Sequence, residues 1–263
     1  MTKAIFFDID GTLVSFDTHQ IPASTVEAIA AAHARGIRMF IATGRAPGFI
    51  NNLGALQDRG LIDGYVTMNG GYCYVGDEVL HKQVIPAPEV KAILDYCEAH
   101  RITCTVVDEH HICACYPSEA LRRVFVEYLH AKEVPGVTPA EALRLIPDVC
   151  QLSPFFDEEQ EREIRPLLPN CEIGRWHPAF VDVSALGCNK QLGIDLICRH
   201  FGIDVTDTMA IGDGGNDIPM LRHAGIGVAM GNANETVKAE ADYVTDTVDQ
   251  DGIAKALQHF GLV

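Results

Sequence analysis

The sequence is short of positive charge: 20 lysines and arginines stand against 36 acids, a formal net charge of −16. Such a chain suits nucleic-acid phosphates poorly, so no nucleic-acid partner is expected. Long apolar runs are also missing. Nothing approaches the ~18 residues of a membrane span, so no membrane partner is expected either. The apolar opening Ala4-Ile-Phe-Phe7 is cut short by Asp8 and Asp10, which excludes a signal peptide. The nine cysteines are odd in number, and no two of them form a CxxC pair. They read as reduced core thiols rather than a disulfide framework, and the expected location is cytoplasmic. The Asn234-Glu-Thr236 sequon is then without consequence.

Several chemical signatures are absent as well. Without a phosphate-binding P-loop, an ATP-using kinase is excluded. Gly225-Ile-Gly-Val-Ala-Met-Gly231 lacks dinucleotide-binding spacing and reads as a strand. His110 and His111 beside Cys113 and Cys115 fit no zinc spacing, and read as a solvent-facing turn next to core thiols.

What is present suffices for a packed core. The chain is 48% hydrophobic and 21% charged, which excludes disorder and coiled coil. Its 263 residues allow one large domain or two smaller ones. Residues 3–9 read as a strand buried on both faces, followed by a helix with Pro22 in its first turn and Gly36 as its stop. Strands at 37–42 and 65–68 and a hairpin over 72–82 follow, so a parallel sheet with helices on it is expected. Val84-Ile-Pro86-Ala-Pro88 reads as a rigid connector. Beyond it, the spacing predicts helices at 88–100, 117–131 and 157–166 and five strands up to residue 184. The charged run 157–163 reads as a solvated helix face. From Asn189 the strand–helix alternation returns. The expected fold is therefore α/β: a Rossmann-like core from 1–82 and 186–263, with an α+β domain, 83–185, inserted.

Four segments carry chemistry. Asp8 and Asp10 end an otherwise apolar strand, where open parallel sheets bind ligands. Alternate residues of an extended chain face one way, so the two carboxylates share a spot and favour a hard divalent cation, Mg²⁺. Alone, Asp10-Gly11-Thr12 reads equally well as a turn with a capping acid. Thr43 and Gly44, before Arg45, could cradle a phosphate oxygen. Gly212-Asp-Gly-Gly-Asn-Asp217 adds Asp213, Asn216 and Asp217, more polar groups than a helix cap needs. Lys190 opens a helix, where a cation is disfavoured unless an anion is near; alone it reads as an exposed lysine.

Together, Asp8-Ile-Asp-Gly-Thr-Leu13, Ala42-Thr-Gly-Arg45, Lys190 and residues 212–217 resemble the four motifs of the haloacid-dehalogenase superfamily. Met68-Asn-Gly-Gly71 and the spacing to Lys190 resemble its Cof-type phosphatases with a type-IIB α/β cap, and hexose-phosphate phosphatases in particular. The resemblance implies that Asp8 is the nucleophile, through an aspartyl-phosphate, and Asp10 the general acid and base. It implies Mg²⁺ on Asp8, the main-chain carbonyl of Asp10, Asp213 and Asp217. Thr43, Gly44, Lys190 and Asn216 would bind the phosphoryl group, with Arg45 and Asn69 close by. The partner would be a small phosphorylated metabolite and the protein a monomer. A phosphatase for another small metabolite, such as pyridoxal phosphate or a polyol phosphate, a phosphomutase and a non-enzymatic phospho-receiver-like domain are the rival readings. Arg175, Trp176, His177 and Asp182 are the expected selectivity residues.

Overall fold

The computed structural model describes residues 2–128 and 133–263, without the side chains of Tyr128 and Trp176. In chain order the strands are β1 (Ala4–Phe7), β2 (Arg38–Ala42), β3 (Gly64–Thr67), β4 (Tyr72–Val75), β5 (Glu78–Lys82), β6 (Cys104–Val107) and β7 (Ile112–Cys115). Then come β8 (Gly136–Val137), β9 (Gln151–Pro154), β10 (Cys171–His177), β11 (Phe180–Ala185), β12 (Thr208–Gly212), β13 (Ile226–Ala229) and β14 (Tyr243–Val244). The chain divides into two compact units. One holds Met1–Gly44, Asn52–His81 and Asn189–Val263; the other holds Arg45–Asn51 and Lys82–Cys188. Residues 45–51, expected with the first segment, thus pack with the second unit, where Phe49 stacks edge-on against Phe125 at 6.0 Å.

The larger sheet runs β14-β13-β12-β1-β2-β3-β4-β5. It is parallel from β14 to β3, and β4 returns antiparallel beside β3. Strand side chains alternate between faces. Phe6, Phe40, Val66 and Ala210 pack with Ile194, Ile197 and Leu221 from helices on one side. On the other side the helix Ala23–Ala34 lies along β2 and against the helix Gly252–His259. Burial on both faces explains the continuous apolar runs, and it leaves only the strand ends for polar chemistry.

The smaller sheet runs β10-β11-β9-β6-β7-β8 and is mostly antiparallel. One face is dry: Cys104, Val106, Cys113, Leu152 and Val183 pack against Ile93, Leu94 and Cys97 of the helix Ala87–His100. Pro86 and Pro88 do not form a connector; Pro86 caps that helix and Pro88 lies in its first turn, where a missing N–H costs nothing. Residues 117–131 are not one α-helix: a turn at Glu119–Leu121 leads into a π-helix over Arg122–Tyr128. Residues 129–131 of that expectation lie outside the described residues. The helix Pro139–Leu145 was not anticipated, although Thr138 and Glu141 form a capping box at its start. All nine thiols are free, and eight are buried.

Candidate active site

The chain leaves the sheet at Asp8, whose N–H still donates to the Ile211 carbonyl at 3.0 Å. The following turn is tight: Gly11 donates to Val14 O at 2.9 Å and Val14 to Ile9 O at 2.8 Å. Gly11 has φ +84, and a β-carbon there would collide with the Asp213 carboxylate. Thr12 Oγ1 instead donates to Asp213 Oδ1 at 2.7 Å, joining the end of β1 to the loop after β12.

That loop is ordered by Asp217. Its Oδ2 accepts from the N–H groups of Asp213 (2.9 Å) and Gly214 (2.8 Å). Its Oδ1 remains for Lys190 Nζ, at 2.5 Å. Lys190 is fully buried, and the same ammonium donates to Asp8 Oδ1 at 2.6 Å. The lysine that reads as exposed in isolation is therefore a buried cation shared by two acids. It opens the helix Lys190–Phe201, capped by Asn189 Oδ1, which accepts from Leu192 N–H at 2.9 Å.

The third edge of the site comes from β2 and β3. Thr43 donates its N–H to Val66 O at 2.8 Å, and its carbonyl accepts from Asn69 N–H at 3.0 Å. Asn69 adopts a left-handed conformation (φ 52, ψ 36), and its Oδ1 accepts from Asn216 Nδ2 at 3.1 Å. A β-carbon on Gly44 would stand 3.2 Å from the Asn69 side-chain amide nitrogen, a tight contact where the two loops approach each other. Asp8, Thr43, Gly44, Lys190, Asp213, Asn216 and Asp217 thus come from strand ends and loops of one unit. Asp10 is half-buried beside them, and its charge adds to the repulsion on Asp8.

Arg45 is placed apart in this respect: it belongs to the second unit and donates Nη1 to Phe49 O at 2.9 Å. The other residue of note had no local signal. Asn232 Nδ2 donates to Gly11 O at 2.8 Å and reaches Asp213 Oδ2 at 3.3 Å, while its Oδ1 accepts from Val248 N–H at 3.1 Å. It fixes both loops through partners remote in sequence.

Electrostatics show what the site lacks. Burial, reinforced by the charges of Asp217 and Asp10, pushes the Asp8 carboxyl up to about 7 against the pull of Lys190. Burial and the charges of Asp8 and Asp217 push Asp213 up to about 8. Burial alone would lower the Lys190 ammonium, but Asp217 and Asp8 outweigh it and hold it above its ordinary value. Carboxylate oxygens of Asp8, Asp213 and Asp217 all lie within 4.8 Å of one another. Once all three are ionised, these carboxylates exceed the one ammonium by two negative charges. An all-oxygen donor set with that deficit fits a hard divalent cation.

Of the expected selectivity residues, Arg175 is a structural staple. Its guanidinium donates to Glu161 Oε2 at 2.9 Å, to Phe156 O at 2.9 Å and to Pro178 O at 3.0 Å. His177 Nδ1 accepts from Ala179 N–H at 3.1 Å, and the ring stacks on Phe180. The Trp176 side chain lies outside the described residues. Asp182 is buried in the second unit and accepts from Ser153 Oγ at 2.7 Å.

A mostly parallel sheet with a second α/β unit inserted between its halves, and with acids and a buried lysine at its strand ends, is the pattern of one hydrolase class. Residues 5–257 match the haloacid dehalogenase-like hydrolases, and the chain belongs to that family. Within it the chain is a phosphatase. It superposes on a solved HAD subclass IIB sugar phosphatase with a TM-score of 0.96 at 58% identity, over 100% of both chains. It is 31% identical to the phosphoglycolate phosphatase of Methanopyrus kandleri, over 98% of this chain and 97% of the relative. It is also 29% identical to the 5-amino-6-(5-phospho-D-ribitylamino)uracil phosphatase YcsE of Bacillus subtilis, over 99% and 96%. Among the described residues no helix is long and apolar enough to cross a membrane.

Proposed function

We propose that this phosphatase hydrolyses small sugar phosphates, hexose phosphates above all, through an aspartyl-phosphate on Asp8. The observation that carries the mechanism is the Asp8 carboxylate, oriented by a buried ammonium 2.6 Å away at the carboxyl end of the central strand. The resemblance to a sugar phosphatase across the whole chain supports the substrate class.

In this reading Lys190 draws Asp8 toward its ionised form and aims it, so that a carboxylate oxygen attacks phosphorus in line with the leaving oxygen. Asp10 gives its proton to that leaving oxygen, then takes one from the water that attacks the phosphorylated Asp8. Thr43, the Gly44 backbone, Lys190 and Asn216 bind the phosphoryl oxygens. Asp8, the Asp10 carbonyl, Asp213 and Asp217 would hold Mg²⁺. When bound, it supplies the positive charge that lets carboxylates and an anionic substrate share one site.

The test is phosphate release across several dozen phosphomonoesters, by the wild type and by Asp8→Asn, with Mg²⁺ present. Sugar phosphates are expected to turn over fastest, and Asp8→Asn to lose about 10³-fold or more while melting as a folded protein. Activity retained in Asp8→Asn removes the covalent step. Failure of every sugar phosphate beside turnover of other esters removes the substrate class.

A further inference from the structure

One strained segment of the larger unit is not used by the mechanism. Met68, Asn69 and Gly70, directly after β3, have φ values of 49, 52 and 95. Glycine takes such left-handed backbone freely, but Met68 and Asn69 do so at a cost, and the Met68 side chain is fully buried as well. Strained backbone of this kind persists only where its surroundings over-determine it, and it gathers at functional sites.

The surroundings here are the three loops that carry the phosphoryl-binding groups. Asn69 N–H donates to Thr43 O at 3.0 Å, at the end of β2. Gly70 lies against the Asn189 carbonyl, which a β-carbon there would strike, and Asn189 immediately precedes Lys190. Asn69 Oδ1 accepts from Asn216 Nδ2 at 3.1 Å, in the loop after β12. A single left-handed turn, closed by Gly71 N–H donating to Met68 O at 3.0 Å, therefore touches all three. Glycine would serve this backbone at least as well as asparagine, so backbone geometry alone does not account for the side chain at position 69.

We infer that Asn69 is a positioning residue for phosphoryl recognition, and that it acts by orienting the Asn216 amide. A primary amide carries two N–H donors. Asn69 Oδ1 takes one of them and so fixes the group, while the other is left to meet a phosphoryl oxygen. A donor fixed before the substrate arrives needs no reorganisation as charge develops. The strained turn is thus what brings the Asn69 amide to Asn216. The assignment rests on the reading that Asn216 binds the phosphoryl group, and its test separates the two.

The measurement is kcat/KM for p-nitrophenyl phosphate with Mg²⁺ present, for the wild type, Asn69→Gly, Asn216→Ala and the double variant, with the melting temperature of each. Asn69→Gly keeps the left-handed turn and removes only the side chain. It is expected to lower kcat/KM about tenfold while the melting temperature stays at or above that of the wild type. Asn216→Ala is expected to lower kcat/KM about 10²-fold. The double variant is expected to match Asn216→Ala alone, because Asn69 acts through that amide; a merely structural turn would instead give losses that multiply. Multiplying losses, or a wild-type kcat/KM in Asn69→Gly, overturn the inference. A wild-type kcat/KM in Asn216→Ala overturns the reading beneath it.

Discussion

The two sheets place polar chemistry differently, and their coverings explain why. The eight-stranded sheet has helices on both faces, so the middle residues of β1, β2 and β12 are apolar. Polar groups gather only where the strands stop, at Asp8, Thr43 and Asp213. The six-stranded sheet has one dry face, and its other face carries Thr105, Gln151, Ser153 and Asp182 in mid-strand. A site at strand ends is built from loops held by glycines and short hydrogen bonds. A polar row on a face is set by register, and a one-residue slip would turn it to the dry side.

Three changes sharpen that contrast. Replacing Lys190 with methionine should affect the strand-end site most. The buried carboxylates of Asp8 and Asp217 would lose the ammonium they share, with an expected cost of about 3–5 kcal/mol in denaturant titration and loss of measurable turnover. A variant as stable as wild type would show that the pair is dispensable.

The second change is pH without a divalent cation. Asp8 and Asp213 sit above their ordinary 3.8, at about 7 and about 8, so the folded chain keeps protons that the unfolded chain releases. Their contribution is complete below pH ~4 and is lost as pH rises through 7 and 8. Melting temperature in EDTA should thus fall between pH 5 and 8, and added Mg²⁺ should reverse the fall near pH 8. A flat profile in EDTA would mean that the acids are balanced without a cation.

The smallest effect belongs to the second unit. Thr138→Ala removes the capping box of the helix Pro139–Leu145, at a cost of about 1 kcal/mol, with the steady-state rate on p-nitrophenyl phosphate unmoved. A parallel drop in rate and stability would tie that helix to the chemistry.

Much of the larger sheet was readable because a strand buried on both faces writes a continuous apolar run, as in Ala4–Phe7 and Met209–Ile211. The acids that interrupt such runs marked the site. Lys190 was harder: nothing local separates a buried lysine from an exposed one, and its partners Asp8 and Asp217 lie 182 and 27 residues away. Asn232 reaches back 221 residues to Gly11 and left no trace in its own neighbourhood. In the smaller unit, Pro86 and Pro88 restrict the chain equally in a connector and in a helix start, and the structure shows the helix start. Thr138-Pro-Ala-Glu141, by contrast, carries its capping-box signal in the sequence itself.

The position of β1 has a consequence for how the protein is made. This first strand is the sheet's middle, flanked by β2 at once but by β12 only after residues 208–212 have been synthesised. At about 5–20 residues per second, β1 keeps one row of backbone donors and acceptors unpaired for roughly ten to forty seconds while the second unit emerges. A nascent chain in that state offers an apolar strand edge to its neighbours on a polysome. Slow synthesis through residues 83–188 should therefore lower the yield of active enzyme more than an equal delay after residue 212.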